Sequence, residues 1–87
     1  MNFSIEYDNQ PLNFLKKQDK HIIKRILDKI DELLTNNAVP HNAKTMAGEH
    51  GIYRIRIGDY RAPYRINYQE NKIIVFKLDK RSKVDKE

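Results

Sequence analysis

Cysteine and tryptophan are both absent from the 87 residues. Without cysteine there is no disulfide framework and no thiolate metal site, which fits a reducing cytoplasm. No apolar run approaches the ~20 residues that a bilayer crossing needs. The start, Met1-Asn2-Phe3-Ser4-Ile5-Glu6-Tyr7, lacks the basic region and long apolar stretch of a secretory signal. No basic amphipathic helix carries Phe on its apolar side, so a membrane is not an expected partner. Histidine is scarce: His21, His41 and His50 are the full set, and none is spaced from another ligand type as a metal pair would be. The carboxylates Glu6, Asp8, Glu49 and Asp59 stand apart beside turns or caps, which does not support a glycosidase-like or two-metal site. No metal and no cofactor is expected.

Charge is present in excess and unevenly placed. Residues 1–50 hold seven Lys/Arg against seven Asp/Glu, whereas residues 51–87 hold ten against five. The whole net charge of +5 therefore belongs to the second part of the chain. Localised excess of this kind marks a face for an anionic partner.

Within that part, Tyr53, Ile55 and Ile57 alternate with Arg54 and Arg56, and Gly58-Asp59 supplies a turn signal. The period of two predicts a half-buried strand, and a two-residue loop makes it one arm of a hairpin. Ile57 then lies opposite Tyr60, Ile55 opposite Ala62, and Arg56 opposite Arg61. Two like charges so placed oppose the pairing by about 0.2–1 kcal/mol. Arg54, Arg56, Arg61 and Arg65 share one face of this hairpin, and a phosphate-bearing ligand over that face makes the arrangement intelligible. Guanidinium is a planar fork of donors that stays charged and matches phosphate. The competing reading is a solvated face whose basic residues blunt a sheet edge.

The remaining chain reads as α+β, one domain over residues 1–87: a small antiparallel sheet with two N-terminal helices on one face, in the order β-α-α-β-β-β. Phe3 to Tyr7 alternates as a first strand. A helix from about Pro11 to Gln18 turns Leu12 and Leu15 inward, with Asp8-Asn9-Gln10 supplying a cap. A second, from about Lys20 to Thr35 after Asp19, carries Ile22, Ile23, Ile26, Leu27, Ile30, Leu33 and Leu34 on one stripe. Thr45-Met46-Ala47 reads either as a brief strand or as cover for an edge. Lys72 to Asp79 is apolar on both alternating sets and is predicted to be central and covered on both faces. Pro63 places its own strand at an edge or at a bulge. Residues 80–87 form a basic tail, predicted to be loosely held.

The ordered pattern resembles the RelE/ParE superfamily of toxins over almost the whole chain. The likeness rests on the opening strand and two helices, on Lys44 to Gly48 leading into Tyr53-Arg54-Ile55-Arg56-Ile57-Gly58-Asp59-Tyr60-Arg61, and on Val75-Phe76-Lys77-Leu78 ahead of Lys80-Arg81. The resemblance, closest to the RelE branch, implies the toxin of a type II toxin–antitoxin system, a ribosome-dependent endonuclease that cuts messenger RNA in the ribosomal A site. It implies Arg54, Arg56, Arg61 and Arg81 as catalytic residues, with Arg65, Lys80 and Lys83 as RNA contacts. An acidic, partly disordered RelB-like antitoxin, the ribosome and messenger RNA are the implied partners. Two departures stand out. Arg54 and Arg56 occupy positions where relatives commonly carry lysine, and a guanidinium does not act as a simple base. The tail segment Ser82-Lys83-Val84-Asp85 lacks the tyrosine that active relatives often have there, and Tyr60, Tyr64 and Tyr68 alternate toward the core. The alternatives are a ParE-like inhibitor of DNA gyrase acting by binding, and an RNA- or ribosome-binding module without catalysis.

Overall fold

The computed structural model describes residues 2–41, 43–46 and 51–80. Its elements are β1 (Ser4–Tyr7), α1 (Asn9–Lys16), α2 (Lys20–Leu34), β2 (Lys44–Thr45), β3 (Ile52–Ile57), β4 (Tyr60–Asn67), β5 (Lys72–Val75) and β6 (Asp79–Lys80). The sheet runs β1-β5-β4-β3-β2, with β6 also paired to β4. The predicted α+β class holds, with both helices on one face. The sheet is mixed rather than antiparallel, because β1 lies parallel to β5. Parallel partners need a long connection, and the helices and the β3–β4 hairpin supply it.

The helix layer is built from the stripe read in the sequence. Ile26, Ile30 and Leu34 of α2 are fully buried against Ile55, Ala62, Tyr64, Ile73 and Val75. Helix α1 begins earlier than predicted, at Asn9, which gives the inward positions to Pro11 and Leu15. Phe14 packs edge-on against Tyr60 at 6.0 Å between ring centroids, and Leu12 is turned outward, 44% exposed. Neither Asp8 nor Asp19 makes a side-chain cap hydrogen bond; the Asp8 carboxylate instead lies 3.8 Å from Arg65.

The hairpin has the predicted register, with Ile57 opposite Tyr60, Ile55 opposite Ala62 and Arg56 opposite Arg61. Gly58 adopts φ +60, the conformation that glycine takes without strain at the first position of a tight hairpin turn. A Cβ there would also come within 2.6 Å of the Arg25 guanidinium.

Two expectations about the last strands change. Pro63 lies in the central strand β4, between β3 and the β5–β6 segment. Its missing donor faces a place where that segment slips. Tyr64 pairs with Val75 and Arg61 with Asp79, so two residues of β4 face three of the partner, Phe76, Lys77 and Leu78. The slip is the bulge that proline tolerates, located across from it. The predicted double cover of Lys72 to Asp79 fails on one side: Ile73, Val75 and Leu78 are fully buried, whereas Ile74 and Phe76 are only half-buried on the face without helices.

Candidate phosphate-binding face

The sheet face away from the helices is where the alternation sends Arg54, Arg56, Arg61 and Arg65, because the opposite parity, Tyr53, Ile55, Ile57, Tyr60, Ala62 and Tyr64, belongs to the core. Lys44 opposes Arg54 across β2–β3 and joins this face at the sheet edge.

The four arginines are not equivalent. Arg65 lies beside Asp8 at 3.8 Å, with its guanidinium 5.8 Å from the Phe76 ring centroid. Arg61 donates from Nε to Asp79 Oδ1 at 3.3 Å, and Lys77 Nζ lies 3.8 Å from the other oxygen of that carboxylate. β6 thus supplies a carboxylate to Arg61, the residue that faces Arg56 across the hairpin. Among the described residues, no side-chain hydrogen bond or ion pair engages Arg54, Arg56 or Lys44. Farther along the face, Lys72 bridges Glu6 at 3.2 Å and Glu70 at 3.4 Å. Among the described residues, positive charge is therefore compensated at the β1 side and not at the β3–β2 side.

Between these halves lies a groove of about 350 Å³ with Pro63, Phe76 and Met46 as apolar wall and Arg54, Arg61, Lys77 and Asp79 as polar rim. It is at the small end of ligand-sized clefts. An apolar floor under cationic donors suits a nucleotide, whose base has a flat face and whose phosphate is an anion.

Asp79, Lys77 and Phe76 were not named as site residues by sequence reasoning; no local signal marks Lys77 and Asp79, since the slip decides their faces. Lys80, expected as an RNA contact, opposes Tyr60 and so falls on the helix-side parity at an exposed end. Arg81 and Lys83 lie outside the described residues, as do His50, Glu49 and the rest of the tail. His21 and His41 are exposed. Among the described residues no cluster of three His, Asp or Glu has the geometry to hold a metal, and no helix is long and apolar enough to cross a membrane.

The tyrosines stay off this face. Tyr64 is fully buried and its hydroxyl donates to the Ala38 carbonyl at 2.7 Å; burial, more than the neighbouring Tyr53 and Tyr68, pushes its phenol up. Burial first, and then the Asp31 carboxylate, pushes the Tyr7 phenol up to about 12. Tyr68 departs from the expected core position: it is 61% exposed at the sheet end, edge-on to Phe3 at 6.3 Å.

The chain is 30% identical over 84 residues to the Methanocaldococcus jannaschii protein named as a toxin, RelE1, covering 93% of this chain and 92% of that one. The RelE of an archaeal RelE–RelB complex from Pyrococcus horikoshii superposes with a TM-score of 0.76 at 27% identity, over 97% of this chain and all of the other. The isolated Escherichia coli RelE toxin has the same fold, with a TM-score of 0.79 at 18% identity over 95% and 88% of the two chains. Residues 5–84 match the family described as the ParE toxin of type II toxin–antitoxin systems. The chain belongs to that family, within the RelE/ParE superfamily of type II toxins.

Proposed function

We propose that this toxin is a ribosome-dependent messenger RNA endonuclease. The supporting observation is the pair Arg54 and Arg56, side by side on β3, without an acidic partner among the described residues and next to Arg61 across the hairpin. In the proposed reaction the 2′-oxygen attacks the adjacent phosphorus and the bond to the 5′-oxygen breaks. The products are a 2′,3′-cyclic phosphate and a 5′-hydroxyl; one proton leaves the 2′-hydroxyl and one reaches the departing oxygen. Arg54 and Arg56 hold the backbone and stabilise the crowded phosphorane, a role whose loss costs about 10²- to 10³-fold per donor. Arg61, anchored at Nε by Asp79, orients toward the same phosphate, and Arg65 extends the track. Arg81 is the proposed contact to the leaving group, with Lys80 and Lys83 as flanking RNA contacts.

The partners in this reading are the ribosome, its messenger, and an acidic antitoxin in the cytoplasm. Antitoxin binding is supported by the solved RelE–RelB complex of the archaeal neighbour and by the uncompensated charge at the β3–β2 side. An amphipathic, partly disordered RelB-like chain that folds on binding suits such a face.

The family description as a ParE toxin favours a second reading, inhibition of DNA gyrase by binding. Mapping RNA ends on programmed ribosomes separates the two, using the wild type, Arg56→Ala and Arg81→Ala, with naked messenger as control. A-site cuts with cyclic phosphate ends, lost in the variants, are the expected result. Intact messenger in the presence of bound ribosomes rejects the nuclease and leaves either an RNA-binding module or, if supercoiling is blocked, a gyrase inhibitor.

A further inference from the structure

The strand that ends at the groove is not straight, and its slip has an identifiable holder. Leu78 N donates to Gln10 Oε1 at 2.7 Å, and Gln10 Nε2 donates back to Leu78 O at 3.0 Å. A primary amide offers one acceptor and a donor in the pattern of a peptide unit. Gln10, the second residue of α1, thus pairs with Leu78 as a neighbouring strand would. It does so where the three-residue segment Phe76 to Leu78 passes Ala62 and Pro63.

The slip decides which side chains reach the groove, because a shift of one residue exchanges the two faces of a strand. Phe76 lies on the arginine face and donates its N–H to Pro63 O at 3.2 Å. Strict alternation from there would put Leu78 on that face and Asp79 in the core. In the structure Leu78 is fully buried in the core and Asp79 lies against Arg61 at 3.3 Å. We infer that Gln10 is a positioning residue for the arginine groove, its amide holding the slip that turns Asp79, in place of Leu78, toward Arg61. The helix layer is in this way tied to the opposite face of the sheet through one side chain. The clamp itself follows from the geometry, and its consequence for cleavage rests on the nuclease reading.

The test reads Arg61 directly in the full chain. Arginine Nε–Hε resonances are recorded by ¹H–¹⁵N NMR for wild type, Asp79→Asn, Gln10→Met, Gln10→Glu and the Gln10→Met/Asp79→Asn double variant, with Arg61→Lys for assignment. Gln10→Met keeps the length and removes donor and acceptor. Gln10→Glu keeps the acceptor for Leu78 N and remains informative if the methionine variant fails to fold. The expected result is that Gln10→Met moves the Arg61 resonance to its position in Asp79→Asn, that the double variant moves it no further, and that Gln10→Glu shifts it in the same direction. A folded Gln10 variant in which the resonance still responds to Asp79→Asn as in the wild type overturns the inference, whatever its loss of stability. Cleavage on programmed ribosomes is measured alongside, with a loss on the order of 10²-fold expected for a misplaced site. If the resonances behave as stated and the wild type cuts nothing, the nuclease reading fails and the clamp stands.

Discussion

The salt dependence of RNA binding tests the unequal state of the four arginines. Each phosphate contact to a single strand contributes about −0.7 to the slope of log affinity against log salt, so four equivalent arginines would give about −2.8. In the structure Arg65 has Asp8 at 3.8 Å and Arg61 has Asp79 at 3.3 Å, whereas Arg54 and Arg56 have no carboxylate partner among the described residues. The four arginines are then expected to contribute about −1.4, roughly sevenfold between 50 and 200 mM salt, with Lys44 and the basic tail adding their own share. Asp79→Asn deletes one negative charge from the groove and should steepen the slope by up to about 0.7. Arg54→Ala should flatten it by about 0.7, and Arg65→Ala by clearly less. The stability cost of losing the Asp79 pair is small, about 1 kcal/mol or less for a partly exposed ion pair, so folding does not mask the effect. Fluorescence anisotropy with a labelled 2′-O-methyl oligonucleotide, which has no 2′-hydroxyl to attack, measures all three. An Arg65→Ala slope change as large as that of Arg54→Ala, or an Asp79→Asn slope equal to the wild type, refutes the division into compensated and uncompensated arginines.

Other consequences concern the fold that carries the face. Tyr64→Phe removes the buried bond to the Ala38 carbonyl and should cost about 1–3 kcal/mol in urea unfolding. Ile30→Ala, at a fully buried position of α2, should cost about 2–5 kcal/mol by the same measurement. Gly58→Ala places a Cβ at φ +60 and against Arg25 and should cost about 1 kcal/mol or more; an unchanged midpoint would mean that the turn relaxes freely. The Tyr7 phenol, raised to about 12, ionises later in the folded chain than in the unfolded one. Stability is therefore intact below about pH 10 and falls as the pH rises from about 10 to 12. Tyr7→Phe should flatten part of that fall in pH-dependent urea melts, the remainder belonging to Tyr64.

What could be read from the sequence follows the range over which a local pattern holds. Alternation from Tyr53 to Arg65, interrupted only by the turn at Gly58, fixes which side chains share a face, and the hairpin register followed from it without any distant contact. The α2 stripe is legible for the same reason. The parallel pairing of β1 with β5 has no local signature, because the helices and the hairpin separate Ser4 from Lys72 along the chain. Leu12 was misplaced because helix α1 starts at Asn9 and Pro11 takes the inward position that Leu12 was given. The slip at Phe76 to Leu78 is the most consequential case. Alternation counted from Ile73 assigns every residue before it correctly and every residue after it to the wrong face. The group that settles the matter, the Gln10 amide, is 68 residues away in the chain. Arg54, Arg56, Arg61 and Arg65 lie before the slip and could be placed on one face by counting. Asp79 and Lys80 lie beyond it, so the acidic member of the groove was invisible and the face that Lys80 takes could not be counted from the sequence.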